Sequence, residues 1–274
     1  EALEALDCPV VGITGTGGAG KSSFTDELVR RYLEDFPEAN IAVLSVDPTK
    51  KRTGGALLGD RIRMNALRSD RAYMRSMATR GAGGPVSAAL ADAIRVCRAA
   101  GFDLVLVETS GIGQGDSTIV ELSDLSVYVM TPEFGAQTQL EKIEMIDMAD
   151  MVVVNKFDKA GADDALRDVR KAYQRAHARF DEAPEAMPVY PAMANRFNDA
   201  GCNQVYVALL EALHARCGHD ASGRYTASLP VGTPDRSFII PPRRSHYLSD
   251  VADAVRGHKG RAREQAERAA ELWA

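Results

Sequence analysis

The chain has 274 residues, of which 45% are hydrophobic and 26% charged, with a formal net charge of -5. That length suits one large α/β domain with a short appendage, and the acidic balance argues against a broad electrostatic footprint for nucleic acid. No apolar run approaches the ~18–20 residues that cross a bilayer, no basic-then-apolar leader opens the chain, and Cys8, Cys97, Cys202 and Cys217 form no C-x-x-C pair, so membrane, zinc-ribbon and disulfide-framework classes recede in favour of a cytoplasmic protein with reduced thiols.

The first residue is Glu1 rather than Met, and Glu1–Asp7 reads as a polar run-in, as expected of a segment cut or processed from a longer polypeptide. Val10–Thr14 is the first of several short apolar runs rich in β-branched residues. Ile41–Asp47, Leu104–Thr109, Leu125–Met130, Met151–Asn155 and Pro188–Pro191 follow. Each is apolar nearly throughout, which predicts parallel strands buried on both faces. Helical patterns lie between them at Ser22–Leu33, Val86–Ala100 and Thr138–Met148. A fourth, Ala162–Phe180, puts Leu166, Val169, Tyr173, Ala176 and Phe180 on one face. The alternation predicts a mostly parallel sheet with helices on both faces, its chemistry carried by loops at the carboxyl ends of the strands. Beyond Cys217 the texture changes. Gly218–Pro242 is rich in Gly, Pro and Ser, and from Ser245 a helical stripe of Tyr247, Leu248, Val251 and Val255 leads to a charged tail ending in Leu272 and Trp273.

Gly15-Thr-Gly-Gly-Ala-Gly20-Lys21-Ser22 matches G-x-x-x-x-G-K-[ST] between a predicted strand and a predicted helix. Glycines let successive N–H groups turn into one concavity, and the helix N-terminus adds its positive dipole end. Gly17, Gly18, Ala19, Gly20, Lys21, Ser22 and Ser23 are therefore the phosphate-binding candidates, with Lys21 reaching the β- and γ-phosphates and Ser22 a ligand for Mg²⁺. Asp47 ends one predicted strand and Glu108 sits near the end of another, where a metal site needs acids. Glu108-Thr-Ser-Gly111 occupies the place of a D-x-x-G switch, in which the Gly111 amide can sense a γ-phosphate. Gln114 is a candidate to orient the attacking water, with Asp47 and residues of a third mobile loop as alternatives, while Lys21 stabilises transition-state charge.

Asn155-Lys-Phe-Asp158 matches N-K-x-D at the end of a predicted buried strand. A carboxylate at Asp158 offers acceptors to guanine N1–H and the 2-amino group, a donor pair that adenine lacks. Asn155 ties the loop together, the Lys156 stem covers the base, and the backbone around Ala192, Met193 and Ala194 is expected to face guanine O6. Together these features predict a P-loop NTPase fold and a GTPase domain at residues 8–217, with residues 218–274 a linker and C-terminal helical extension leading to a partner or a next domain.

Val46-Asp-Pro-Thr and Arg52-Thr-Gly-Gly-Ala-Leu-Leu-Gly-Asp60-Arg-Ile-Arg-Met64 resemble the first switch of the MeaB-like G-protein chaperones of cobalamin-dependent acyl-CoA mutases, and Phe102–Gln114 resembles their second. Met74–Arg80, Thr131–Ala136, Gln139–Ile143 and Asn155–Lys159 resemble more narrowly the G-domain of fused isobutyryl-CoA mutases. The resemblance implies that Asp47, Asp60 and Glu108 join Ser22 around magnesium and that Glu133–Lys142 is a third loop sensing the partner. It implies GTP/GDP as ligand, with adenosylcobalamin met only through partner domains. The partners implied are the cobalamin-binding and substrate-binding domains of a mutase in the same polypeptide, and a homodimer is a further arrangement to test. The cobalamin fingerprint D-x-H-x-x-G does not occur here, so no mutase activity is expected of this chain alone. Departures lie at Gly81–Pro85 and Gly161–Asp164. The runner-up is a metallochaperone GTPase delivering nickel, on the strength of His214-x-x-Cys217-x-His219. A small-molecule kinase and a non-hydrolysing module fit the switch and base motifs less well.

Overall fold

The computed structural model describes residues 8–48, 64–79, 86–109, 115–135, 145–220, 223, 229–234 and 247–273, with backbone only at 47–48, 78–79, 86–88, 115–118 and 247–250. The chain divides into two compact units, Glu1–Asp235 and Arg236–Ala274.

Among the described residues the first unit holds a seven-stranded sheet. Its strands are β1 (Val10–Gly15), β2 (Ile41–Pro48), β3 (Ala72–Thr79), β4 (Leu104–Thr109), β5 (Leu125–Met130), β6 (Met151–Val154) and β7 (Val189–Pro191). They lie in the order β3-β2-β4-β1-β5-β6-β7, and every adjacent pair is parallel. The helices are α1 (Lys21–Asp35), α2 (Val86–Ala99), α3 (Gly115–Leu122), α4 (Met145–Met148), α5 (Ala162–Ala176) and α6 (Ala200–Cys217). The fold expectation of a parallel, helix-covered P-loop sheet holds.

Period-two alternation sorts the strand side chains between two faces. Val11, Ile13, Val43, Leu106, Val127 and Val153 join Phe24 and Leu28 of α1 and Val205, Leu209 and Leu213 of α6. Their neighbours point the other way. Val10, Leu44, Val105 and Val107 meet Leu90 and Ile94 of α2 and Ile119 of α3, while Tyr128, Met130, Val152 and Val154 meet Leu166, Val169 and Tyr173 of α5. This double burial is why the strands read as continuous apolar runs. The packed unit continues to Leu229, which is buried in the cluster under α1 and α6.

Five elements differ from the sequence reading. β3, α3 and α6 are not among the predicted elements. Ala162–Phe180 stops at Ala176, because Ala178 takes φ 51 and turns the chain out of the helix. Phe180 is therefore exposed instead of on the buried face. Of the predicted Thr138–Met148 helix, Met145–Met148 is helical and residues 138–144 lie outside the described residues.

The second unit contains α7 (Tyr247–Trp273), a 27-residue helix. Val251 and Val255 are partly exposed and Leu272 and Trp273 almost fully so.

Candidate functional site

β1 delivers the chain to the phosphate loop at the carboxyl edge of the sheet, and α1 leaves from it. Gly20 takes φ 89 at the helix entry. A side chain there would be strained, and its Cβ would lie 2.6 Å from Asn155 Nδ2. Glycine at this position thus lets the phosphate loop and the base loop touch. Ala19 N donates to Thr16 O at 3.1 Å and Thr16 N to Val129 O at 3.2 Å, which fixes the loop against β5. The first α1 amides, at Ser22 and Ser23, have no carbonyl one turn earlier and can serve an anion.

Lys21 is buried and its ammonium donates to Gly15 O and Thr16 O, each at 3.0 Å. Ser22 Oγ donates to Glu108 Oε1 at 2.7 Å. The structure thus brings a hydroxyl and a carboxylate from different elements together at the mouth of the loop. An oxygen-only pair suits a hard cation such as Mg²⁺. Asp47 ends β2 beside β4, where Ser45 and Glu108 are in register. Its side chain, and the whole of Asp60, Gly111 and Gln114, lie outside the described residues. Glu133 is described but residues 136–142 of the expected third loop are not. Glu133 Oε2 accepts from Thr131 Oγ1 at 2.8 Å and Oε1 from Lys159 Nζ. Those donors hold its carboxyl below the usual range.

The base motif follows β6. Asn155 is 2% exposed. Its Nδ2 donates to Ala19 O at 2.8 Å, and its Oδ1 accepts from Ala194 N at 3.0 Å. One side chain thus joins the phosphate loop to the loop after β7. Lys156 sits at φ 56 and its Nζ reaches Gly18 O at 2.7 Å, laying the alkyl stem across the same gap. Asp158 Oδ1 is buried and has no hydrogen-bond partner among the described residues. A buried carboxylate oxygen left bare costs about 1–3 kcal/mol or more, so a donor is needed to complete it. The amides expected to face O6 are already engaged: Ala192 N donates to Val154 O at 3.0 Å and Met193 N to Asp199 Oδ2 at 3.0 Å. Asp199 was not read from the sequence; its only local signal is its place before α6.

Both histidines of the nickel alternative already have partners. His214 Nδ1 lies 2.9 Å from His219 O and His219 Nε2 lies 3.3 Å from Tyr32 Oη. No group of three His, Cys, Asp or Glu among the described residues is placed to hold a metal.

Residues 4–219 match the family model for the methylmalonyl-CoA mutase-associated GTPase MeaB. The fused isobutyryl-CoA mutase of Geobacillus kaustophilus is 54% identical over 275 residues, covering 100% of this chain and 25% of that protein. The chain spans about a quarter of the length of the curated fused mutases it matches. Among solved structures, a LAO/AO transport system kinase aligns with TM-score 0.55 and 25% identity over 78% of this chain and 63% of that one. HypB of Helicobacter pylori, in a complex with nickel, aligns with TM-score 0.55 and 15% identity over 77% of this chain and 89% of its own, a likeness of fold.

Proposed function

The chain belongs to the MeaB family of mutase-associated GTPases, and from that premise we propose that it binds and hydrolyses GTP with magnesium and uses the cycle to gate an acyl-CoA mutase. The gated events are adenosylcobalamin loading and the release of damaged cofactor. Isobutyryl-CoA is the first choice of mutase substrate, from the names of the fused relatives; pivalyl-CoA and methylmalonyl-CoA come behind it.

The observation that carries the nucleotide reading is the bare, buried Asp158 oxygen beside the Asn155 bridge. Guanine presents a pair of donors to this carboxylate and completes Oδ1, whereas adenine would leave it unpaired. The Lys156 stem forms one wall for the flat base.

The phosphate end works by exchange. Lys21 leaves Gly15 O and Thr16 O for the β- and γ-phosphate oxygens, giving up two neutral acceptors for anionic ones. Gly17, Gly18 and the first α1 amides surround the same oxygens. Ser22 and Glu108 would hold magnesium, together with the Asp47 and Asp60 of the family resemblance. Bound there, the ion would offset charge on the phosphate oxygens. In the transition state Lys21 stabilises the growing negative charge, and Gln114 is the candidate to position the water. The Gly111 amide, following β4, is the proposed sensor of the γ-phosphate, and its release after hydrolysis frees the switch.

The test is steady-state hydrolysis of GTP and ATP by this chain, alone and with the cobalamin-binding and substrate-binding domains of a fused mutase added. GTP-selective turnover that changes with those domains is expected. GTP-selective turnover indifferent to them would remove the mutase as client, and equal use of ATP would remove the base assignment. Among the described residues no metal-holding group supports the nickel reading, and both histidines of that motif already have partners.

A further inference from the structure

Asp199 sits where three elements meet. It is 5% exposed and caps α6, its Oδ2 accepting from Cys202 N at 2.9 Å. The same oxygen accepts from Met193 N at 3.0 Å, a bond that the helix does not need. The Asp199 carbonyl lies 3.5 Å from Arg31 Nη2. Arg31 belongs to α1, is fully buried, and also donates from Nε to Asn203 Oδ1 at 2.7 Å. Gly201 permits this closeness, because a Cβ there would lie 2.1 Å from Pro191 O. The α6 cap, the loop after β7 and the helix leaving the phosphate loop therefore share one junction.

The junction acts on consecutive peptides. Met193 N is pinned by Asp199 and Ala194 N by Asn155, while Ala192 N belongs to the sheet edge. Asn195 N is the next amide along and has no acceptor among the described residues. Holding the two preceding amides narrows the range through which the Asn195 N–H can turn, because only the two soft dihedrals of Ala194 then separate it from a fixed peptide.

We propose that Asp199 is a positioning residue for base selectivity: by holding Met193 it aims the Asn195 amide at position 6 of the purine. This rests on the guanine assignment of Asp158. A fixed N–H there donates to the 6-oxygen of guanine and opposes the 6-amino group of adenine. Selectivity then has two separate readers, Asp158 at positions 1 and 2 and the Asp199-held loop at position 6.

The test titrates the full chain with GDP, with IDP, which lacks the 2-amino group, and with 6-thio-GDP, whose sulfur is a poorer acceptor than oxygen. Asp199→Ser keeps an acceptor for the α6 cap but is too short to hold Met193 as well. It should weaken GDP about tenfold and shrink the preference for GDP over 6-thio-GDP, leaving the GDP:IDP ratio as in the parent. Asp199→Asn retains an oxygen acceptor and should restore both. Unchanged binding in Asp199→Ser, or equal weakening of all three nucleotides, overturns the proposal. The guanine assignment fails on a different ratio: Asp158→Asn leaving GDP:IDP unaltered. Hydrogen exchange on the unsubstituted chain gives an answer independent of how the variant folds. Met193 and Ala194 amides should be protected without nucleotide and Asn195 only with GDP; an Asn195 amide indifferent to GDP overturns the proposal.

Discussion

The two ends of the nucleotide site are prepared differently. At the base end, Asn155, Lys156 and Asp199 already hold the loops in place, and one atom, Asp158 Oδ1, awaits a donor. At the phosphate end, Lys21 and Ser22 are engaged with Gly15, Thr16 and Glu108, groups that a ligand must displace. The base end is a preformed mould, and the phosphate end is a set of contacts to be exchanged. Recognition of guanine therefore needs little rearrangement, whereas the γ-phosphate is read through bonds that break and re-form, as a switch requires.

The largest expected break in this comparison comes from Lys21→Ala. Single-turnover GTP hydrolysis should fall by roughly a hundredfold or more, while fold stability measured by thermal melting should stay close to the parent, since the lost bonds are to loop carbonyls. Asn155→Ala attacks the mould instead. It strips Ala19 O and Ala194 N of their shared partner and should cost about 1–3 kcal/mol in chemical denaturation, with faster GDP dissociation in stopped flow. Ser22→Ala sharpens the contrast: GDP affinity without magnesium should hold, and the gain on adding magnesium should drop about tenfold.

The smallest effect lies behind both ends, at His219. Burial pushes its imidazole below the ordinary range, against the opposing fields of Asp103 and Asp220. The folded state thus takes up a proton less readily than the unfolded chain. Stability should be full above about pH 6.5 and decline as pH falls from there through the lower folded value. A denaturation midpoint followed from pH 7 to 5 should show that slope, and His219→Asn should flatten it without altering GDP affinity at pH 7.

Legibility followed chemistry that is contiguous in the chain. The phosphate loop and Asn155–Asp158 each compress a site into a few neighbours, and central strands announce themselves because both faces are buried. β3 did not: it is an edge strand, Ala72–Thr79 mixes Arg75 and Ser76 with apolar residues, and Tyr73 is exposed. α6 hid because Val, Leu and Ala crowd nearly every position from Val205 to Ala215, leaving a weak polar face to set the period. Asn203 and Arg31 were beyond reach for another reason. Their side-chain bond joins residues 172 positions apart, and no local pattern marks a side chain whose partner is on another helix.

Trp273 is the chain's one tryptophan, and it sits in the second unit almost wholly exposed. The tryptophan emission of this chain is therefore the voice of α7. A quench or blue shift on adding GTP would report that the helix end had gained cover, and a fluorophore carried by the ligand would report nucleotide occupancy by itself.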